Sequence, residues 1–326
     1  MNCFKIVGVN CFILLVLLGI IEVGLRMAHF PFSSSWNPSE NAIAEFDKEL
    51  GWKYSANLNR SVHFGSSEAM VYTDANGIRI PSPGFNLSSK KPSILFVGCS
   101  YTMGHGLSYY ENFVGQLGAY VGIPYQVVNL GVQAYGTDQA YIALKKFVPR
   151  FNTKIVVYTF IGDHISRNGV TDRRLILPNA HMIGTKPLFE LSGDDQIRLV
   201  KSAKRYEDYW NSYLLDALKL SLLNQIGLYP PYPEELTIRL IQHMEKYCKE
   251  RGILFVLLNW RKTPNDYSRF SKFSINCIDT LEHAPPNWKY MSESVDWHPN
   301  SEAGIHVARL LRDYIKFKSK LTLPLQ

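Results

Sequence analysis

Cysteine is scarce in this 326-residue chain, which holds five, and no zinc-type pairing or ligand-like histidine spacing is present. Cys3 and Cys11 lie in an apolar N-terminal run and Cys99 adjoins a serine flanked by glycines, so Cys248 with Cys277 is the one pairing to weigh. Cys248 falls in an amphipathic stretch where a reduced, buried thiol is favoured, and no disulfide framework is expected. Internal repeats and low-complexity tracts are absent as well, which excludes solenoids and biased linkers. The net charge of +7 is dispersed rather than gathered in one basic tract; a nucleic-acid partner is not expected, and neither a metal nor a cofactor is read from the residues. What is present, 46% apolar and 19% charged residues, is the balance of a chain that folds around one large core.

One stretch departs from that balance. Residues 6–25 read IVGVNCFILLVLLGIIEVGL, broken only by Asn10 and Glu22, about 20 residues and enough to cross a bilayer as a helix. An uncleaved anchor is favoured over a cleaved signal, because the small residues Ser33 and Ser35 fall well beyond the run. Lys5 and the amino terminus oppose only Arg26 across it, a slight N-in bias that puts the following domain outside the cytoplasm, in the periplasm.

The expected partition is a transmembrane anchor at 1–27, an extension rich in turn-formers at 28–90, and a main domain at 91–326 with an insertion at about 166–232. Ser93–Val97 is a short apolar run stopped by Gly98, the pattern of a buried strand. Strands are also expected at 126–130, 154–160 and 253–258, and helices at 112–120, 137–148, 234–249 and 301–317. This alternation predicts an α/β fold with a parallel sheet covered by helices, which binds ligands beyond the carboxyl ends of its strands. Within the insertion, laid over that face, a hairpin is expected from 186–191 to 196–200, then a helix near 206–223. Its aromatics Tyr206, Tyr209, Trp210 and Tyr213 either pack the insertion onto the core or meet a sugar or lipid.

Two segments bear reactive side chains. In Gly98-Cys99-Ser100-Tyr101-Thr102-Met103-Gly104, a tight turn after a strand exposes a hydroxyl while the free N–H groups of the next helix favour negative charge. A turn or helix-cap role for Ser100 is the competing reading. A serine needs a base to act as nucleophile, and His298, in Asp296-Trp297-His298-Pro299-Asn300, is the best placed of nine histidines. Asp296 is close enough in sequence to orient the imidazole, and Asn300 suits the N-cap of the last helix.

Together these segments, over about residues 91–316, resemble the SGNH, or GDSL-like, hydrolases. The resemblance implies a three-layer, flavodoxin-like fold with Ser100 as nucleophile. Thr102 and Gly104 match the first block while Cys99 replaces its aspartate, its side chain turned away from Ser100. Asn129-Leu130-Gly131-Val132 resembles the second block and implies an oxyanion hole from the Ser100 and Gly131 amides. The third block aligns with Phe160-Ile161-Gly162-Asp163-His164, which puts Asp163 where an asparagine donor is usual; an ionised carboxylate there would repel an oxyanion. His164 is then a second acid or base, or a structural hydrogen-bonding group. The last block matches at His298, with Asp296 one residue nearer than the usual partner. Weaker similarity appears at Leu50-Gly51-Trp52 and Asn76-Gly77-Ile78-Arg79. The implied activity is that of a serine esterase acting on O-acyl, chiefly O-acetyl, esters of a glycan or envelope polymer. A lipid or small ester as substrate, acyl transfer to a sugar hydroxyl, and a non-catalytic binding domain are the alternatives.

Overall fold

The computed structural model describes residues 3–32, 43–64, 67–120, 124–177, 183–193, 196–208, 210–261, 268, 270, 275–281, 284, 291–292 and 298–322. The chain begins with helix α1 (Cys3–Met27), followed by β1 (Ala44–Asp47), β2 (Gly51–Tyr54), β3 (Asn59–Phe64), β4 (Ser67–Thr73) and β5 (Arg79–Ile80). Next come β6 (Pro92–Gly98), α2 (Ser100–Met103), α3 (Phe113–Ala119), β7 (Gln126–Gly131), α4 (Thr137–Phe147), β8 (Asn152–Phe160) and α5 (Asp163–Asn168). The hairpin β9 (Leu188–Ser192) and β10 (Gln196–Lys201) precedes α6 (Tyr213–Gln225), α7 (Glu234–Lys249), β11 (Leu254–Asn259) and β12 (Cys277–Asp279). Last are β13 (Met291–Ser292), β14 (His298–Pro299) and α8 (Ser301–Thr322).

The main sheet runs β12-β11-β8-β6-β7-β5-β4-β3. Its β12 to β7 half is parallel, with Ile94, Leu95, Phe96 and Val97 of the central β6 wholly buried, as a strand covered on both faces requires. α3 and α8 pack together on one face and α4 beside α7 on the other, so the expected three-layer α/β fold is observed. α7 shows why such helices form. Leu236, Leu240, Ile241, Met244 and Cys248 make one buried stripe, Glu234 and Glu235 occupy the first turn, and Lys246 and Lys249 occupy the last, in favourable sense for the helix dipole.

The extension enters the main sheet, which is mixed and mostly parallel. β3, β4 and β5 continue the same sheet as antiparallel strands, joined through Arg79 opposite Asn129. Their alternating burial, with Val62, Phe64, Ala69 and Val71 inward, adds them to the common core. The insertion is pinned by Lys186, whose ammonium donates to Asp138 in the first turn of α4; both side chains are fully buried. The expected helix of the insertion starts later, at Tyr213, because Ser212 caps it by accepting from the Leu215 amide at 3.2 Å. Tyr206 instead donates to Asp172 in the core at 2.9 Å, and Tyr209 lies outside the described residues. Cys248 is a free, buried thiol, and burial pushes it up to about 12.

Aligned registers bring the carboxyl ends of the parallel strands to one edge: Gly98 opposite Gly131, Phe160 opposite Asn259, and Asn259 opposite Asp279. From β6 the chain steps to β7 on one side and then crosses back to β8 on the other. Ser100, the second residue after β6, stands at this switch point, where α/β sheets open a crevice.

Candidate active site

The Ser100 hydroxyl lies 2.8 Å from Nε2 of His298. The two are far apart in sequence and meet because β14 crosses beside α2, its His298 paired with Ser292 of β13. Asn300 accepts from the Ala303 amide at 2.9 Å and caps α8, so the capping turn and the presentation of His298 are built by the same segment.

A single helical turn such as α2 has no stability of its own, and its carbonyls need partners from elsewhere. Asn112 Nδ2 and Asn129 Nδ2 both donate to the Thr102 carbonyl, at 3.1 and 2.9 Å. The Arg79 guanidinium donates to the carbonyls of Met103, Gly104 and Leu107, the last two at 3.0 and 2.5 Å. Burial pushes this arginine down to about 10, opposed by the fields of Tyr54, Tyr109 and Glu111. Gly104 closes the turn in the left-handed region at φ 87°, which favours glycine. β7 presses equally close: a Cβ on Gly131 would lie 2.3 Å from the Met103 nitrogen.

His298 sits between two rings. Tyr101 is 5.3 Å away, and His105 is nearly parallel to it at 4.1 Å between centroids. The Gln133 side-chain amide donates to His105 Nδ1 at 2.7 Å, which leaves the ring proton on Nε2. Burial, then the neighbouring His298 and Arg79, holds His105 down at about 3, so it is neutral near pH 7. Phe64 of β3 meets it edge-on at 4.5 Å. The Gln133 loop is tied to β2: Trp52 Nε1 donates to the Gln133 carbonyl at 2.9 Å, the Gln133 amide to Tyr54 Oη at 3.2 Å, and Tyr135 Oη to the Trp52 carbonyl at 2.5 Å. Between them Ala134 holds φ 63°, left-handed for a residue with a side chain.

Of the residues expected from sequence, Ser100 and His298 are brought together, while Asp296 lies outside the described residues. The Gly131 amide donates to Asn129 Oδ1 at 3.0 Å. The Asp163 carboxylate, 60% exposed, pairs with Arg167 at 3.4 Å. His164 takes the structural reading, wholly buried with Nδ1 2.8 Å from Tyr158 Oη, and burial holds its pKa well below the usual histidine range. Cys99 is buried in the core. Arg79, His105, Asn112 and Gln133 escaped the sequence reading, although Arg79 ends one of the two weakly similar upstream segments and Trp52 the other. A cavity of about 260 Å³ runs along β7 between Asp47, Asn76, Lys146 and Arg150; neither Ser100 nor His298 lines it.

Fold and site together define an α/β protein with a serine–histidine pair at the carboxyl edge of its sheet. Among solved structures the chain is similar to a GDSL-like lipase from Bacteroides thetaiotaomicron, at 12% identity over 71% of this chain and 89% of that one, with a TM-score of 0.36. It is similar also to TesA, at 15% identity over 67% and 94% of the two chains and a TM-score of 0.38. A third likeness is to AlinE4, an SGNH-hydrolase family esterase, at 13% identity over 73% and 100%, with a TM-score of 0.28. No family model matches the sequence, and a search of curated proteins finds no similar one.

Proposed function

We propose that the chain is a serine esterase in which Ser100 is the nucleophile and His298 its general base, on the strength of the 2.8 Å contact between Oγ and Nε2. His298 takes the Ser100 proton as Oγ attacks an ester carbonyl. The Ser100 amide, at the open N-terminus of α2, donates to the oxyanion. As the sequence pattern suggests, the Gly131 amide is the second donor, exchanging its hydrogen bond to Asn129 Oδ1 for one to the oxyanion. Protonated His298 then releases the alcohol, and water, activated by the same imidazole, frees the acid from the acyl-enzyme. Asp296 orients His298 in this scheme, as the sequence pattern suggests.

The substrate class follows from the anchor. α1 is long and apolar enough to cross a membrane, and its side chains, Phe12 and Leu15 among them, stand clear of the folded domain at 67% exposure. An N-in orientation sets the catalytic domain in the periplasm, facing O-acetylated glycans or other envelope polymers. The test uses the detergent-solubilised full chain on an acetyl ester, beside Ser100→Ala and His298→Ala. Each variant is expected to lose at least about 10³-fold in kcat/KM; equal rates in all three would sink the assignment. Protease treatment of spheroplasts should degrade the domain, and full protection would reverse the orientation.

A further inference from the structure

α6 belongs to neither helical layer, and none of its residues is buried. Leu215, Leu218, Leu222 and then Ile226 recur at helical spacing, so they line one face, and they are 66%, 59%, 59% and 58% exposed. Trp210, Leu228 and Tyr232, which flank the helix in sequence, are exposed as well. α6 is nevertheless held firmly. It packs on α1, and Glu22, the carboxylate that interrupts the apolar run of α1, accepts from the amides of Tyr213 and Leu214 at 3.0 and 2.8 Å and from the Ser212 hydroxyl at 2.9 Å. Arg26 pairs with Glu22 at 2.7 Å and lies over the Tyr213 ring at 4.7 Å.

Glu22 therefore works as a capping group supplied by one helix to the start of another, and it fixes the depth of α6. At about 1.5 Å per residue, α1 from Phe4 to Ile21 measures about 27 Å, close to the roughly 30 Å of a hydrocarbon core. Glu22 and the first turn of α6 then fall where one leaflet meets its headgroups. An exposed leucine stripe continuous with a membrane-crossing helix has one fitting occupant, the lipid surface itself.

We propose that α6 lies in the membrane interface, its Leu215, Leu218, Leu222 and Ile226 face set among the upper acyl chains and Trp210 at headgroup level, as a second anchor that orients the domain. Lys219 flanks the stripe, where its stem lies over apolar surface and its ammonium reaches lipid phosphate. The inference rests on α1 crossing the bilayer, and the experiment separates the two. The full chain, with Cys3, Cys11 and Cys277 changed to Ser, is reconstituted in phosphatidylcholine–phosphatidylglycerol vesicles and labelled with an environment-sensitive fluorophore at Leu14→Cys, Leu218→Cys, Leu222→Cys or Asn224→Cys. Expected are deep quenching by mid-chain nitroxide lipids at position 14, a blue shift with shallow nitroxide quenching at 218 and 222, and aqueous emission at 224. Deep quenching at 14 with aqueous emission at 218 and 222 overturns the α6 proposal and leaves the anchor standing. Aqueous emission at 14 overturns both. Efficient disulfide formation between chains through Leu218→Cys, without lipid quenching there, would make the face a contact between copies and overturn the proposal equally.

Discussion

His105 and His298 stack at 4.1 Å, yet the proposed mechanism asks opposite things of them. His298 must take and return a proton. His105, held down at about 3 by burial first and then by the fields of His298 and Arg79, must not. A neutral ring there fixes the plane of His298 without adding charge beside the imidazolium that forms during attack. The depressed pKa has a stability consequence whose sign is definite. Below about pH 6.5 the unfolded chain protonates this histidine while the folded one does not, so stability falls as pH drops from about 6.5 toward 3, by up to about 1.4 kcal/mol per pH unit. His105→Gln removes that dependence. In urea titrations of the detergent-solubilised chain, the stability difference between wild type and His105→Gln should shift by about 2 kcal/mol against the wild type on going from pH 7.5 to pH 5. His164 shifts in the same direction but is present in both proteins and cancels. Parallel pH profiles would mean that His105 titrates in the folded state as it does in water.

Among elements, the one-turn helix α2 shows what was legible in the sequence and what was not. β6, β7, β8 and α7 could be read because burial on a sheet or a helix face writes a period of apolar residues along the chain. Ser100 and His298 could be read because each follows a break in such a pattern, a strand end and a helix cap. The support of α2 leaves no such mark. Arg79, Asn112 and Asn129 come from a two-residue antiparallel strand, a loop and a parallel strand, and each looks like an ordinary polar residue until the fold aims it at a carbonyl. The strands of the extension leave little mark for a related reason, since short strands broken by turns show no long apolar period. Arg79→Met leaves the carbonyls of Met103, Gly104 and Leu107 without this donor in a buried setting. At about 1–3 kcal/mol for each unsatisfied group, a loss of at least about 3 kcal/mol is expected in chemical denaturation. Ester turnover should fall as well, because Ser100 rides on the same turn, and Arg79→Lys should recover only part of both, having one nitrogen in place of a planar fork. Normal turnover in Arg79→Met would show that the contacts of Ser100 and His298 hold without this support.

On the scale of the whole molecule, the α1–α6 junction links the apolar helix α1 to the domain at a point remote in sequence from the polypeptide that joins them. Glu22 was visible in the sequence only as a blemish in an apolar run. Its purpose appears once the insertion returns to α1 and presents the unpaired amides of a helix start, where a carboxylate meets both the donors and the favourable end of the helix dipole. The same insertion is tied at its other side by Lys186 to Asp138, so it bridges α1 and the first turn of α4. Glu22→Ala cuts one of these ties and leaves the other. Loss of a cap costs about 1 kcal/mol, which corresponds to about fivefold faster hydrogen exchange at the Tyr213 and Leu214 amides of the reconstituted chain. Exchange in α4 and α7 should stay as in the wild type, because their protection comes from the core, and turnover of a soluble acetyl ester should be unchanged, because Glu22 touches neither Ser100 nor the residues that hold it. Slower turnover with unchanged exchange at Tyr213 would contradict this division, and would mean that α1 acts on Ser100 and His298 by a route other than the cap of α6.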